Sequence, residues 1–401
     1  MHTTRIQSGT LAFRRVNLAL FAAGFVTFIT LYDMQPLLPE FVREFSIPPA
    51  LASLPLSAAC FTLAVGMLLA GTLSETLGRK SIMVTSLFLT SILALCTAWS
   101  DSLFSLVFLR FIQGIVLAGL PPVAMAYLGE EIEPATIGTA MGLYISGNAI
   151  GGMSGRLFTA TITDYFSWNT ALVLVGLISL GLSIYFALHL PASQQFTKRN
   201  FEYRYLFSSL YLKLRDPHLL CLYGISFCVM GSFVTLFNYI TFRLIGPVYD
   251  LSQSMVSLIF LTYLLGAYCS SVVNKMVKRY GRFTTLRSCL ITMLLGLVIT
   301  LSAQLFAIIF GIALFTCGFF GAHTSGSTWV GQHAQTAKAQ AAALYLFFYY
   351  LGSSISGTVG GFCWTGGGWM GVTLFIAVLL VIASGLTLVL ARLGNVDNAL
   401  E

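Results

Sequence analysis

Charge is what this sequence lacks most. Of its 401 residues only 9% are Asp, Glu, Lys or Arg, while 57% are hydrophobic, against roughly 25% charged in soluble domains. So few charges cannot solvate the surface of a 43.5 kDa soluble protein, which excludes a soluble enzyme. None of the eight cysteines pairs in C-x-x-C spacing, so neither a disulfide framework nor a metal site is implied, and they read as small packing residues. No nucleotide-binding loop occurs, which removes ATP as an energy source and leaves no cofactor to assign. The net charge of +7 is scattered over short loops rather than gathered in a stripe, which argues against nucleic acid. No N-x-[ST] glycosylation acceptor is present.

What is present is a succession of long apolar runs. A helical span needs about 20 mostly apolar residues, and twelve segments qualify: 16–40, 51–73, 80–100, 103–127, 137–161, 169–190, 218–240, 253–273, 284–302, 304–327, 340–362 and 370–391. The runs are too long for barrel strands, and lipid offers the backbone no partner, so the elements are helices. The opening run, preceded by Arg5, Arg14 and Arg15, reads as an uncleaved first helix rather than a signal peptide. The chain divides into an N-terminal six-helix bundle (1–190), a basic cytoplasmic linker (191–217) and a C-terminal six-helix bundle (218–401). With the N-terminus inside, 17 of the 21 Lys and Arg fall on the cytoplasmic side, the exceptions being Arg43, Arg110, Arg156 and Arg243. That asymmetry predicts cytoplasmic N- and C-termini.

The halves echo each other. Leu77-Gly78-Arg79 follows the second segment and Tyr280-Gly281-Arg282 the eighth, with Gly78 and Gly281 offset by 203. Gly147 and Gly352 open similar small-residue runs at an offset of 205. Two parallel six-helix repeats point to a transporter whose halves rock about a midplane site.

Polar residues inside the segments are the functional candidates. Arg110 lies within the fourth segment, where a lone cation is costly unless it faces a cavity or pairs with an acid, and Asp33 in the first segment offers that acid. Static packing of the pair is the competing reading. Arg156 is a further buried cation, placed either to pair with Asp164 or to meet an anionic substrate. Asn238, Tyr239, Tyr263, His323 and Tyr349 are candidate substrate contacts, since phenols give broad apolar contact with one polar handle. His323 reads equally as a histidine hydrogen-bonded between helices.

Twelve spans with GTLSETLGRK after the second resemble the major facilitator superfamily, whose loop pattern G-x-L-x-D-x-x-G-R-[KR] is matched by Gly71, Leu73, Glu75, Gly78, Arg79 and Lys80, with Glu in place of Asp. The resemblance implies a latch on the cytoplasmic gate. In that reading Gly71 permits close helix approach, Gly78 a tight reversal, and Glu75 pairing with the cations or with a helix N-terminus. Arg110, Gln113 and Gly114 match R-x-x-Q-G, a segment the family associates with proton coupling, and Asp33 matches a position where many drug:proton antiporters carry an acid. Gly147-Asn148-Ala149-Ile150-Gly151-Gly152 resembles the antiporter segment G-P-x-x-G-G, with Asn148 where Pro is usual. MGLYISGNAIGGMSGRL, GSFVTLFNYITFRL and ALYLFFYYLGSSISGTVGG resemble the YnfM-like inner membrane transport proteins.

The resemblance implies a monomeric transporter of a bacterial inner membrane, with no catalytic activity and no cofactor. Its partners are lipid, protons and a small organic cargo (a drug, sugar or metabolite) exported by alternating access. Two alternatives stand beside it. One is proton-coupled or facilitated import of a small metabolite. The other, more remote, is an intramembrane serine protease, since Gly152-Met153-Ser154-Gly155 and Ala322-His323-Thr324-Ser325-Gly326 match its nucleophile and base motifs.

Overall fold

The computed structural model describes residues 5–196, 198 and 203–400. Among these residues the chain is α-helical, with one isolated bridge between Ile6 and Ile132 and no strand. Ten helical stretches are long and apolar enough to cross a membrane. They are Leu11–Glu44, Leu54–Leu77, Arg79–Thr97, Leu103–Glu131, Trp168–His189, Pro217–Ile245, Gln253–Tyr280, Arg282–Ile299, Leu305–His333 and Lys338–Leu393. The helix Ile137–Tyr165 is as long but richer in Gly, Ser and Thr. The last stretch, helical to Leu400, leaves helical geometry at Gly367 and Gly368, which divides it in two. Twelve spans result, numbered here in chain order.

Local chemistry sets the boundaries. Ser102, Ser167 and Ser252 each accept a hydrogen bond from the backbone N–H three residues on, at 3.2, 3.2 and 3.3 Å, and so start spans 4, 6 and 8. Gly78 and Gly281 take φ of +96° and +81° between spans 2 and 3 and between 8 and 9, a backbone that side-chain-bearing residues rarely adopt. Pro36 and Pro39 convert the end of span 1 into a 3-10 turn, Gln35–Leu37, followed by the short helix Leu38–Glu44. Span 4 is broken similarly, into Leu103–Leu117 and Pro121–Glu131, and runs four residues past the expected end at 127.

The chain forms two compact units. One comprises the residues up to Phe45 with Ala58–Tyr203; the other comprises Ser46–Ser57 with the chain from Arg204 on. The main division falls between Tyr203 and Arg204, but the short segment Ser46–Ser57 carries no sequence mark of its membership. The linker also carries a helix over Tyr203–Leu214; residues 197 and 199–202 lie outside the described residues.

Candidate functional site

The charged centre of the first unit forms where span 1 stops being helical. Asp33 caps the helix Leu11–Tyr32, and Arg110 approaches it from span 4, its Nη1 lying 3.3 Å from Asp33 Oδ1. Both side chains are fully buried. Arg110 makes shorter contacts elsewhere: it donates to Thr30 O at 2.6 Å, Leu31 O at 2.7 Å and Gln113 Oε1 at 2.7 Å. The two carbonyls are orphans of the helix end, so the guanidinium closes the helix as well as facing the acid. Gln113, one turn along on the same face, donates in turn to Thr90 O of span 3 at 3.1 Å. The three residues expected to act together are therefore joined. A buried ion pair is weak evidence of stabilisation, because desolvating two charges offsets their attraction.

The loop after span 2 is also tied down, by a partner the sequence did not reveal. Arg79 grips Glu130 at the C-terminal end of span 4, Nη2 to Oε1 at 2.6 Å and Nε to Oε2 at 3.2 Å, while Glu75 stands further off at 3.8 Å. Arg79 also donates to Ser74 Oγ and, at 3.3 Å, to Gly71 O. Lys80 donates to Leu190 O at 2.5 Å. Glu75 does pair with Arg79, but as the secondary acid, because the run-on of span 4 presents Glu130 squarely to the guanidinium fork. One expectation is corrected. Gly71 does not serve close packing, since a Cβ there would meet open space; it contributes its carbonyl. The paired acids Glu130-Glu131 were the available signal.

Spans 1 and 5 pack through glycine. A side-chain carbon on Gly147, Gly151 or Gly155 would collide with the backbone of Phe21, Phe25 or Ile29 respectively, and one on Gly24 would collide with Asn148. Small residues four apart thus let two backbones meet, and Asn148 fills the gap over Gly24. Gly152 lines Arg156 instead: the guanidinium donates to Gly152 O at 2.6 Å and to Gln35 Oε1 at 2.5 Å, and it lies 4.0 Å from the Tyr32 ring centroid. Those contacts place Arg156 on the broken end of span 1.

The second unit repeats the seam. Gly352 of span 11 abuts Phe227 of span 7, Gly231 abuts Ser356, and Gly360 abuts Thr235. The positions correspond to those of spans 1 and 5 at offsets of 206 and 205, but at the middle contact the small residue has changed sides. Thr235 Oγ1 donates to Ser356 O at 2.9 Å and Tyr239 Oη to Gly357 O at 2.6 Å. Tyr239 and Asn238, both fully buried, therefore belong to this seam.

The other candidates gather in one aromatic cluster. Tyr263 lies 5.3 and 5.2 Å from Phe233 and Phe237, and Phe233 stacks on Phe319 at 3.6 Å. The His323 ring stands 4.7 Å from Tyr349, and its Nδ1 is 3.2 Å from Tyr345 Oη. His323 is thus hydrogen-bonded between spans 10 and 11. The phenylalanines escaped the sequence reading because it sought polar groups, although 233/237 and 319/323 share helical faces. Ser154 and His323, the protease-like pair, fall in different units.

Comparison with known proteins agrees with this architecture. The family model described as Major Facilitator Superfamily matches residues 18–357. The uncharacterized MFS-type transporter YybF of Bacillus subtilis is 48% identical over 97% of this chain and 96% of its own length. The inner membrane transport protein YnfM of Escherichia coli is 46% identical over 94% of this chain and 91% of its own. Among solved structures, a bacterial homolog of the human lysosomal transporter Spinster superposes with a TM-score of 0.76 at 15% identity, covering 96% of this chain and 98% of that one. A family model spanning most of the chain and two full-length relatives lead to one conclusion: the chain belongs to the major facilitator superfamily and is a multi-pass membrane transporter.

Proposed function

We propose that this transporter couples the movement of a small organic molecule to protons, exporting its cargo from the cytoplasm by alternating access. The observation that carries the reading is the Asp33–Arg110 pair, fully buried yet separated by 3.3 Å while Arg110 makes shorter bonds to Thr30 O, Leu31 O and Gln113. Because those bonds fix the guanidinium, Asp33 can gain or lose a proton without releasing its partner. Asp33 is then the proton carrier, Arg110 its fixed counter-charge and Gln113 the brace. Arg79, Glu130, Glu75 and Lys80 form the cytoplasmic latch, and the Tyr263–His323–Tyr349 cluster offers apolar and aromatic contact to cargo. Relatives such as YnfM, described as an inner membrane protein, support placement in a bacterial inner membrane, and the basic loops favour cytoplasmic termini.

Proteoliposomes carrying an internal pH dye provide the test. Addition of the correct cargo from a panel should drive proton movement with the wild-type protein. Asp33→Asn should lower that flux at least tenfold while leaving insertion intact. Wild-type flux from the Asn variant removes Asp33 from the mechanism.

A further inference from the structure

We propose that Asp216, His218 and His333 form a binding site for one divalent transition-metal ion of the zinc class, within the second unit, where the linker enters span 7 beside the end of span 10. The three side chains bring one ligand atom each to within 4.8 Å of the others. His333 Nε2 lies 3.0 Å from Asp216 Oδ2, and His218 Nδ1 lies 3.9 Å from Asp216 Oδ1. Metal–ligand bonds of about 2.0–2.2 Å in a tetrahedral site hold neighbouring ligands roughly 3.3–3.5 Å apart. The observed separations bracket that range, so small side-chain rotations suffice. Two imidazole nitrogens and a carboxylate oxygen make a borderline donor set, suited to zinc, cobalt or nickel rather than to the all-oxygen preference of calcium and magnesium.

The carboxylate is already oriented. Asp216 is the N-cap of the helix Pro217–Ile245, and its Oδ1 accepts from the backbone N–H groups of His218 at 3.0 Å and Leu219 at 3.2 Å. That cap turns Oδ2 toward His333, the last residue of its own helix. The two imidazole rings face each other at 4.8 Å. A helix-end hydrogen bond explains Asp216 with His333, but it does not explain a second imidazole brought to the same carboxylate. Side-chain exposures of 14%, 27% and 29% for His218, Asp216 and His333 leave the group open to an ion arriving from water. The adjacent cations are engaged with other groups: Lys213 donates to Thr336 Oγ1 at 3.4 Å, and Arg215 lies 4.5 Å from the Tyr211 ring. An ion held here would fasten the end of span 10 to the start of span 7.

The test uses the full-length protein in detergent micelles, purified through a tag free of histidine and titrated with Co²⁺. The expected result is one equivalent per chain with the visible absorption of tetrahedral Co²⁺, bleached by Zn²⁺. His333→Ala and Asp216→Asn should each weaken binding at least tenfold, and His189→Ala should leave it unchanged. Asn also caps helices, so weakening in Asp216→Asn reports the lost ligand rather than a frayed span 7, and it decides the matter should His333→Ala not fold. The proposal is overturned if the wild type shows no stoichiometric Co²⁺ band, or if Asp216→Asn keeps the band at wild-type affinity.

Discussion

Arg110 reaches Thr30 O and Leu31 O at 2.6 and 2.7 Å and Asp33 at 3.3 Å, and this ordering sets what its removal should cost. Arg110→Ala leaves a buried carboxylate without its counter-charge and two helix-end carbonyls without a donor, which should lower stability by about 3–5 kcal/mol. Adding Asp33→Asn should recover part of that loss, a pattern that thermal unfolding of the single and double variants in detergent will reveal. Arg110→Lys should fall between, because a point-charge ammonium cannot serve both carbonyls and Gln113 at once. The second prediction at this scale concerns Glu130. Glu130→Gln weakens the fork-to-fork grip of Arg79, and a change of about 1.4 kcal/mol alters a population ratio roughly tenfold. Cysteine-accessibility labelling from each side of the membrane should register that shift, and unchanged labelling would leave the loop a topology anchor. Asp33 and Arg110 were legible in the sequence because charges inside apolar runs are costly and few, and Gln113 only through the R-x-x-Q-G resemblance. Glu130 was not, because an acid at the end of a span looks like any interfacial residue until folding carries Arg79 to it.

Helix contacts in each unit turn on where a side-chain carbon would find no room. Gly151 and Gly142 lie on the same helix, yet a Cβ at Gly151 would come within 2.7 Å of Phe25 Cα while one at Gly142 would meet nothing within 4 Å. Backbone cannot rotate away as a side chain can, so Gly151→Val should cost more than the roughly 1–3 kcal/mol typical of overpacking. Gly142→Val should be tolerated, and the difference in unfolding temperature between the two variants measures the seam. The helices themselves were legible from apolar length. The seam was legible only in part: glycines spaced by four marked span 5, but the exchange of sides at Gly231 and Ser356 required the fold. Gly71 is the opposite case, where a glycine in a recognisable pattern contributes its carbonyl rather than its missing side chain.

Between the two units the chain crosses more than once, because Ser46–Ser57 belongs with the residues after Arg204. That segment is packed there closely. Ser53 Oγ lies 3.4 Å from Thr358 Oγ1, Thr358 donates to Ser57 Oγ at 2.9 Å, and a Cβ on Gly361 would collide with Ala50. A protein cut at residue 203 should therefore not yield two self-sufficient pieces. The 204–401 piece expressed alone should unfold at a lower temperature than the same piece coexpressed with 1–203; equal resistance to heat would show that the segment is dispensable to that unit. The two-bundle repeat was legible in glycine and Gly-Arg offsets, whereas the crossing was not, because 46–57 reads as an ordinary connection running into the start of span 2. The order of synthesis then becomes part of the folding problem. The residues that complete the second bundle leave the ribosome before most of the first bundle exists, and they must stay available until span 11 is made. Insertion of the C-terminal half is thus not a separate closing event: its core waits for a piece that was translated near the beginning.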